Sequence, residues 1–282
     1  MAQIIGITSL ETEELRIYRT GNEAQLLHYF EPDGGLFIAE SPMVVQRALD
    51  AGYEPYSMLI DEALLAKTGT GCVTDDPSGI GSILNRVGNI PVYSGNEALL
   101  GQLTGFKLTR GMLCAMYRKP LRTLDEVCAN ASRIAVLDGV ENPANVGSIF
   151  RNAAALGIDG IVLTSGCSDP LYRRSLRVSM GTSLILPWTV FEPYDYIDHL
   201  RALGFTTAAM ALRKDSLPPD SDFFRLNNIA KLAIILGNEG FGLPDEIIRK
   251  CDLTVMIPMA NGVDSLNVAA ASAIAFWELA GH

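Results

Sequence analysis

Three short segments in the second half of the chain concentrate the residues able to do chemistry. They are Asn142-Pro143-Ala144-Asn145-Val146-Gly147-Ser148-Ile149-Phe150-Arg151, then Leu236-Gly237-Asn238-Glu239-Gly240-Phe241-Gly242-Leu243-Pro244, then Ile257-Pro258-Met259-Ala260 leading into Ser265-Leu266-Asn267-Val268. Each places Gly, Asn or Ser where a strand should give way to a helix, the position at which α/β sheets bind ligands. The polar residues form no Ser-His-Asp or Cys-His set. The chain has three histidines, one of them the terminal His282, so neither a histidine base nor a metal site is expected.

Gly237 to Gly242 reads G-x-x-G-x-G. That differs from the dinucleotide fingerprint, and Glu239 would repel a pyrophosphate. A loop whose backbone wraps a ligand, with a carboxylate suited to a positively charged group, fits better. Asn145 sits at a plausible helix N-cap. Gly147 weakens the first turn relative to Ala, which suggests close backbone approach. Arg151 is a lone cation among Ile149, Phe150 and Ala153 to Ala155, and such a cation needs an acidic or phosphate partner. Ser265 is placed to cap the last helix. Asn267, disfavoured within that helix, suggests a specific hydrogen-bonding task.

These segments must be held by a large core. The 282 residues are 48% hydrophobic, enough for two domains. No apolar run reaches membrane-spanning length, and the N-terminus lacks the features of a signal peptide. Cys72, Cys114, Cys128, Cys167 and Cys251 are scattered, odd in number and without a C-x-x-C, which reads as reduced thiols in a cytoplasmic protein. The net charge of −10 argues against nucleic acid at first sight, but it is uneven. Residues 1–105 carry 14 acids and 5 bases, whereas 106–181 carry 10 bases and 6 acids. Arg173, Arg174 and Arg177 cluster in the basic stretch, as do Arg110, Arg118, Lys119 and Arg122; a solvated face is the plain reading of either group.

Short apolar runs at 36–39, 57–60, 90–93 and 111–117 predict strands of a small α/β unit over 1–118, with helices opened by Ser41-Pro42 and spanning 97–103. Residues 119–132 read as a linker with a short helix. A second unit, 133–282, has strands predicted at 134–137, 160–163, 188–190, 205–210, 231–236 and 254–257. Helices are predicted at 146–156, 172–180, 194–203, 244–250 and 265–279. The alternation of strands and helices predicts parallel sheets.

The ordered combination N-P-x-N-x-G-x-x-x-R, L-G-N-E-G-x-G-L-P and I-P-M-x-x-x-x-x-S-L-N-V resembles the SpoU (TrmH) family of RNA ribose methyltransferases, of the knotted SPOUT class, across about 133–282. Phe37-Ile38-Ala39-Glu40-Ser41, before a helix ending Ala48-Leu49-Asp50-Ala51-Gly52, resembles the L30e-like substrate-binding domain often fused to that family. The resemblance implies an α/β SPOUT-type parallel sheet with a C-terminal trefoil knot, preceded by a small L30e-like α/β domain. It implies S-adenosylmethionine as cofactor, contacted by Gly237, Ile257 and Leu266. Glu239, Ser265, Asn267 and Asn145 would complete the site, with Arg151 at the family's catalytic arginine. It also implies a homodimer whose active site draws on both protomers. The reaction would methylate a ribose 2′-hydroxyl. Ribosomal RNA is favoured over transfer RNA by the L30e-like domain, and a non-catalytic RNA-binding protein of the same fold is the alternative. RNA selection falls to residues 1–118 and to Arg173, Arg174 and Arg177, with the acidic residues of the first unit facing away from RNA. One departure is Ala269, where many members have Ser. Two proton routes are open: a transiently neutral Arg151, or an Arg151 that holds phosphate while water takes the proton. Guanidinium groups titrate only near about 12.5–13.8, which weighs on the first.

Overall fold

A computed structural model describes residues 2–19, 23–30, 34–66, 79–104, 111–192, 195–227 and 229–280. Cys72, Arg110, His282 and the predicted helix start at Tyr194 lie outside them. The chain divides into two compact units, residues 1–120 with 171–185, and residues 121–170 with 186–282. The first unit takes in 171–185, residues distant in sequence from the rest of it.

The first unit contains strands β1 (Gln3–Gly6), β2 (Leu36–Glu40), β3 (Pro55–Asp61), β4 (Pro91–Gly95) and β5 (Met112–Tyr117). Its helices are α1 (Arg16–Arg19), α2 (Ala24–Leu27), α3 (Pro42–Asp50), α4 (Glu62–Ala66), α5 (Ile80–Arg86) and α6 (Glu97–Thr104). Sheet order is β1-β4-β3-β5-β2. The expected parallel sheet is corrected here: β5 runs antiparallel to both β3 and β2, while β4 pairs parallel with β1 and β3. Alternation of element types constrains which elements follow one another, but an insertion of β5 between two earlier strands leaves no mark in it. As expected, Ser41 caps α3, accepting from Val44 N at 3.4 Å, with Pro42 in the first turn.

The second unit contains α7 (Leu124–Cys128), β6 (Arg133–Leu137), α8 (Pro143–Ala155), β7 (Gly160–Leu163), then β8 (Trp188–Val190), α10 (Tyr196–Ala202), β9 (Thr206–Met210), α11 (Asp222–Leu226), β10 (Leu232–Leu236), α12 (Asp245–Lys250), β11 (Leu253–Val255) and α13 (Val268–Leu279); the intervening α9 (Arg173–Val178) belongs to the first unit. The segment read as a linker is packed structure. Thr123 and Glu126 form a reciprocal capping box on α7, and Leu124, Cys128 and Ala131 join the core of this unit.

All five pairings of the second sheet are parallel, in the order β11-β9-β10-β6-β7-β8. β6, β7 and β8 step outward in one direction, whereas β10, β9 and β11 lie on the other side of β6. The order therefore switches between β6 and β10, and the crevice beyond their C-terminal ends is the expected ligand position in such a sheet. Both strands are buried along almost their whole length, as parallel strands covered on two faces must be.

At the opposite end of the sheet, Asp252 accepts from Thr207 N at 2.8 Å, from Thr207 Oγ1 at 2.7 Å and from Arg201 Nε at 3.0 Å. Partial burial alone would raise its pKa, but these donors together outweigh that and hold the carboxyl below its ordinary value. A depressed folded pKa contributes stability above the unfolded value and loses it as pH falls through the folded one. Asp252→Asn should therefore lower stability by about 1 kcal/mol at pH 7, a small figure because the pair is partly solvated. The difference between the variant and the parent should close below about pH 3.9. Urea midpoints at pH 7, 5 and 3 check this; a gap independent of pH would contradict it.

Candidate functional site

The loop leaving β6 is fixed from beneath. Asp138 accepts from Tyr196 Oη at 2.8 Å and from Thr164 Oγ1 at 3.3 Å. Burial first, and the Asp138 carboxylate second, push the Tyr196 phenol far up, so it remains a donor. Gly139 N donates to Thr164 Oγ1 at 3.0 Å, Val140 N donates to Cys167 Sγ at 3.3 Å, and Cys167 donates to Leu137 O at 3.1 Å. This network delivers Asn142 to the N-terminus of α8.

Asn142, not Asn145, caps that helix; its Oδ1 accepts from Ala144 N at 2.9 Å, and Pro143 occupies the first turn. The helix thus begins three residues earlier than its apolar pattern suggests. Asn145 is released for another task. Its Nδ2 donates to Glu239 Oε1 at 2.8 Å, and its Oδ1 accepts from Asn267 Nδ2 at 3.1 Å. Asn142 N also donates to Glu239 Oε1, at 3.3 Å.

Asn267 is the N-cap of α13, accepting from Ala269 N at 3.0 Å, and Ser265 lies outside the helix. Both ends of the Asn267 amide are thereby used, one on its own helix and one on Asn145. Asn145 in the first turn of α8, Glu239 in the β10 loop and Asn267 at the cap of α13 form a continuous polar chain between segments far apart in sequence.

The loop leaving β10 closes on itself. Gly242 N donates to Asn238 O at 2.9 Å, and Asn238 N donates to Gly242 O at 3.2 Å. The Asn238 side chain locks it further. Its Oδ1 accepts from Gly240 N at 2.8 Å and Phe241 N at 3.2 Å, while its Nδ2 donates to Gly139 O at 2.7 Å. Sequence reasoning gave Asn238 no role, although it sits inside the G-N-E-G motif. Only the fold shows it tying the β10 loop to the β6 loop. Gly237 admits no Cβ, which would lie 2.5 Å from the Gly242 carbonyl carbon. Its glycine is required by this clasp.

Two adjoining clefts meet along this loop. One, of ≈ 240 Å³, lies beyond the ends of β9, β10 and β11; Gly237, Glu239, Ile257, Ser265, Leu266 and Asn267 all line it, against Met210, Val255 and Met259. The other, more open and ≈ 650 Å³, is lined by Asn142 and Asn145 together with Glu239, Gly240 and Asn267. Glu239 and Asn267 stand where the two join. Arg151 is not part of either lining. It is exposed on α8 and makes no hydrogen bond or ion pair among the described residues.

Residues 132–277 match the model of the SpoU rRNA methylase family. The chain belongs to that family. Its relatives include an uncharacterized tRNA/rRNA methyltransferase of Mycobacterium bovis, 38% identical over 86% of this chain and 80% of that one. The 23S rRNA (guanosine(2553)-2′-O)-methyltransferase of Bacillus subtilis is 31% identical over 56% of this chain and 61% of its own. Among solved structures, an AdoMet-bound rRNA methyltransferase from Sinorhizobium meliloti superposes with a TM-score of 0.77 at 25% identity, covering 98% of this chain and 97% of that one.

As a SpoU methylase the chain is an RNA methyltransferase, and the three segments read from sequence converge on the crevice just described. The arginine cluster on α9 does not stay uniform. Arg173 pairs with the buried Glu40 at 3.2 Å and donates its backbone N–H to Glu23 at 2.6 Å, all within the first unit. Arg174 and Arg177 are exposed and make no ion pair among the described residues. The four described cysteines are free thiols. Among the described residues no group of His, Cys, Asp and Glu could hold a metal ion, and no helix is long and apolar enough to cross a membrane.

Proposed function

We propose that the chain transfers the methyl group of S-adenosylmethionine to a ribose 2′-hydroxyl of RNA, ribosomal RNA before transfer RNA, in the cytoplasm. One observation carries this reading: the predicted cofactor residues Gly237, Ile257 and Leu266 line one cleft with Glu239, Ser265 and Asn267. The donor set fits the group. Apolar walls from Met210, Val255 and Met259 suit its adenine ring and methylene groups, and the Glu239 carboxylate suits a sulfonium charge. Bound there, S-adenosylmethionine supplies an electrophilic methyl.

The chain's own residues then position the acceptor. Asn145, held by Glu239 and Asn267, presents polar groups in the open cleft where a ribose enters. The 2′-oxygen bonds to the methyl carbon as the carbon–sulfur bond breaks, and the hydroxyl proton leaves to water. Arg151, exposed and without an acidic partner, binds the adjacent phosphate and polarises the hydroxyl. Effective molarity from such positioning is worth roughly 7–11 kcal/mol.

Arg151 and Asn145 are six residues apart on α8, about 120° around the axis and about 9 Å along it. They therefore face different sides of the helix, which supports a homodimer in which Arg151 completes the site of a second copy. α13 packs on α8 and leaves Ile274 and Trp277 exposed, which suits the same interface. The reading carries with it the trefoil knot of the SPOUT class, formed by the last third of the chain. It also makes the first unit an L30e-like substrate-binding domain, aided by Arg174 and Arg177, with Arg173 held in its ion pair.

Calorimetric titration is expected to show micromolar binding of S-adenosylmethionine and none of NADH. Label from the methyl group should then appear in ribosomal RNA as an alkali-resistant 2′-O-methyl linkage. Absence of cofactor binding, or label on a base, would overturn the reading; label confined to transfer RNA would correct the substrate.

A further inference from the structure

Phe241 is 96% exposed at the tip of the loop that separates the two clefts. Leaving a phenyl ring in water forgoes the stabilisation that burial brings, and no described residue covers it. The exposure does not come from a slack segment. Its own backbone N–H is held by Asn238 Oδ1 at 3.2 Å, the paired bonds between Asn238 and Gly242 close the loop around it, and Asn238 is in turn anchored to Gly139 O. Flanking Gly240 and Gly242 carry no side chain that could shield the ring. A rigid loop thus offers an aromatic face beside an open, polar-lined cleft of nucleotide size. Asn142, Asn145, Glu239 and Asn267 line the cleft beside Pro143, and no aromatic side chain lines it to stack a base.

We infer that Phe241 is the stacking platform for a nucleobase of the substrate RNA, at or next to the nucleotide whose ribose enters the open cleft. This rests on the RNA ribose reading above. Proteins that act on single-stranded RNA read splayed bases by stacking them on aromatic side chains, and a Phe with a fixed backbone does so with little loss of conformational freedom. Phe241 is on this account a positioning residue. It does not touch the transferred methyl group, and its removal should leave the cofactor cleft intact.

The test is Phe241→Trp, with the indole as reporter and its signal taken as the difference from the parent, in which Trp188 and Trp277 are retained. The probes are oligoadenylate, the same oligonucleotide with abasic sites, and inorganic polyphosphate. Oligoadenylate is expected to quench the indole in the presence of S-adenosylhomocysteine, while the abasic and polyphosphate probes are not. In parallel, Phe241→Ala and Phe241→Leu should each raise KM for ribosomal RNA transcripts about 5- to 100-fold, with Phe241→Tyr near the parent, because stacking and not apolar bulk is removed. Calorimetric affinity for S-adenosylmethionine should be unchanged in all three.

Oligoadenylate that binds without quenching, or a Leu variant as active as the parent, would overturn the inference while leaving the methyltransferase reading in place. So would a Phe241→Ala protein that sediments as a monomer beside a dimeric parent, since the ring would then be a subunit contact. Failure of the parent protein to bind RNA at all would overturn both.

Discussion

Arg151→Ala is expected to lower methyl transfer to RNA by about 10²–10⁴-fold, the usual loss when a positioned proton-transfer or polarising group is removed. Affinity for S-adenosylmethionine should stay within about twofold and thermal stability within about 0.5 kcal/mol. The separation follows from placement. Arg151 is exposed, lies outside both clefts and makes no hydrogen bond or ion pair among the described residues, so its removal disturbs neither the cofactor lining nor the core. Arg151→Lys should recover part of the loss, since a lysine still binds phosphate as a point charge but cannot form the bidentate fork. A variant that turned over at the parent rate would remove arginine from the mechanism altogether.

The placement on α8 makes a sharper forecast. Arg151→Ala and Glu239→Gln are each expected to be inactive alone. If Arg151 completes the site of a second copy, mixing the two with subunit exchange makes heterodimers in which one site holds an intact Glu239 and an intact Arg151. Activity should return to about a quarter of the parent value, from half of the dimers carrying one good site of two. If each chain used its own Arg151, mixing would restore nothing.

How these residues came to be legible explains which were not. The strands of the second unit announce themselves because a parallel strand buried on both faces has to be apolar throughout, as Ile134 to Leu137 and Leu232 to Leu236 are. The site residues follow from them, because loops at the C-terminal ends of such strands are where ligands bind. Polar groups with two possible partners were harder to place. Asn145 and Ser265 each satisfy the local pattern of an N-cap, and a local pattern cannot know that Asn142 and Asn267 take those positions, freeing Asn145 to reach Glu239. Asn238 looked like part of a glycine turn. Its anchoring role depends on Gly139, which the sequence places 99 residues away. β1 and the short helices α1, α2, α4, α5 and α11 went unread because pieces of four to seven residues give too little periodicity to register. The strand at β5 is legible in its apolar run, but its antiparallel direction is not, because pairing direction is a property of the sheet and not of the strand. Arg173 shows the limit for charge: a cluster of three arginines reads as one surface, yet one of its members is spent on the buried Glu40.

The glycine at the head of the β10 loop supplies the other large effect. Gly237→Ala adds one methyl group, placed 2.5 Å from the Gly242 carbonyl carbon, 2.6 Å from Leu243 N and 2.7 Å from Gly242 O. All three are backbone atoms, so no side chain can swing aside, and the clasp between Asn238 and Gly242 has to open. Overpacking of this kind costs about 1–3 kcal/mol, which for a chain of this size is a fall in Tm of roughly 2–12 °C. Opening the clasp also moves Asn238, Gly240 and Gly242, which line the cofactor cleft, so S-adenosylmethionine binding should fall by more than tenfold. Gly240→Ala is the matched control. It lines the same cleft, but its added methyl meets only Asn238 Oδ1, at 3.4 Å, an ordinary contact. The two variants differ by three positions and carry the same chemical change. Calorimetry and thermal melts on both therefore separate a rigid, self-clasped loop from one that merely needs small residues facing a ligand. Equal losses in the two would favour the second. Loss confined to position 237 would show that the cleft is shaped by the backbone before any cofactor arrives.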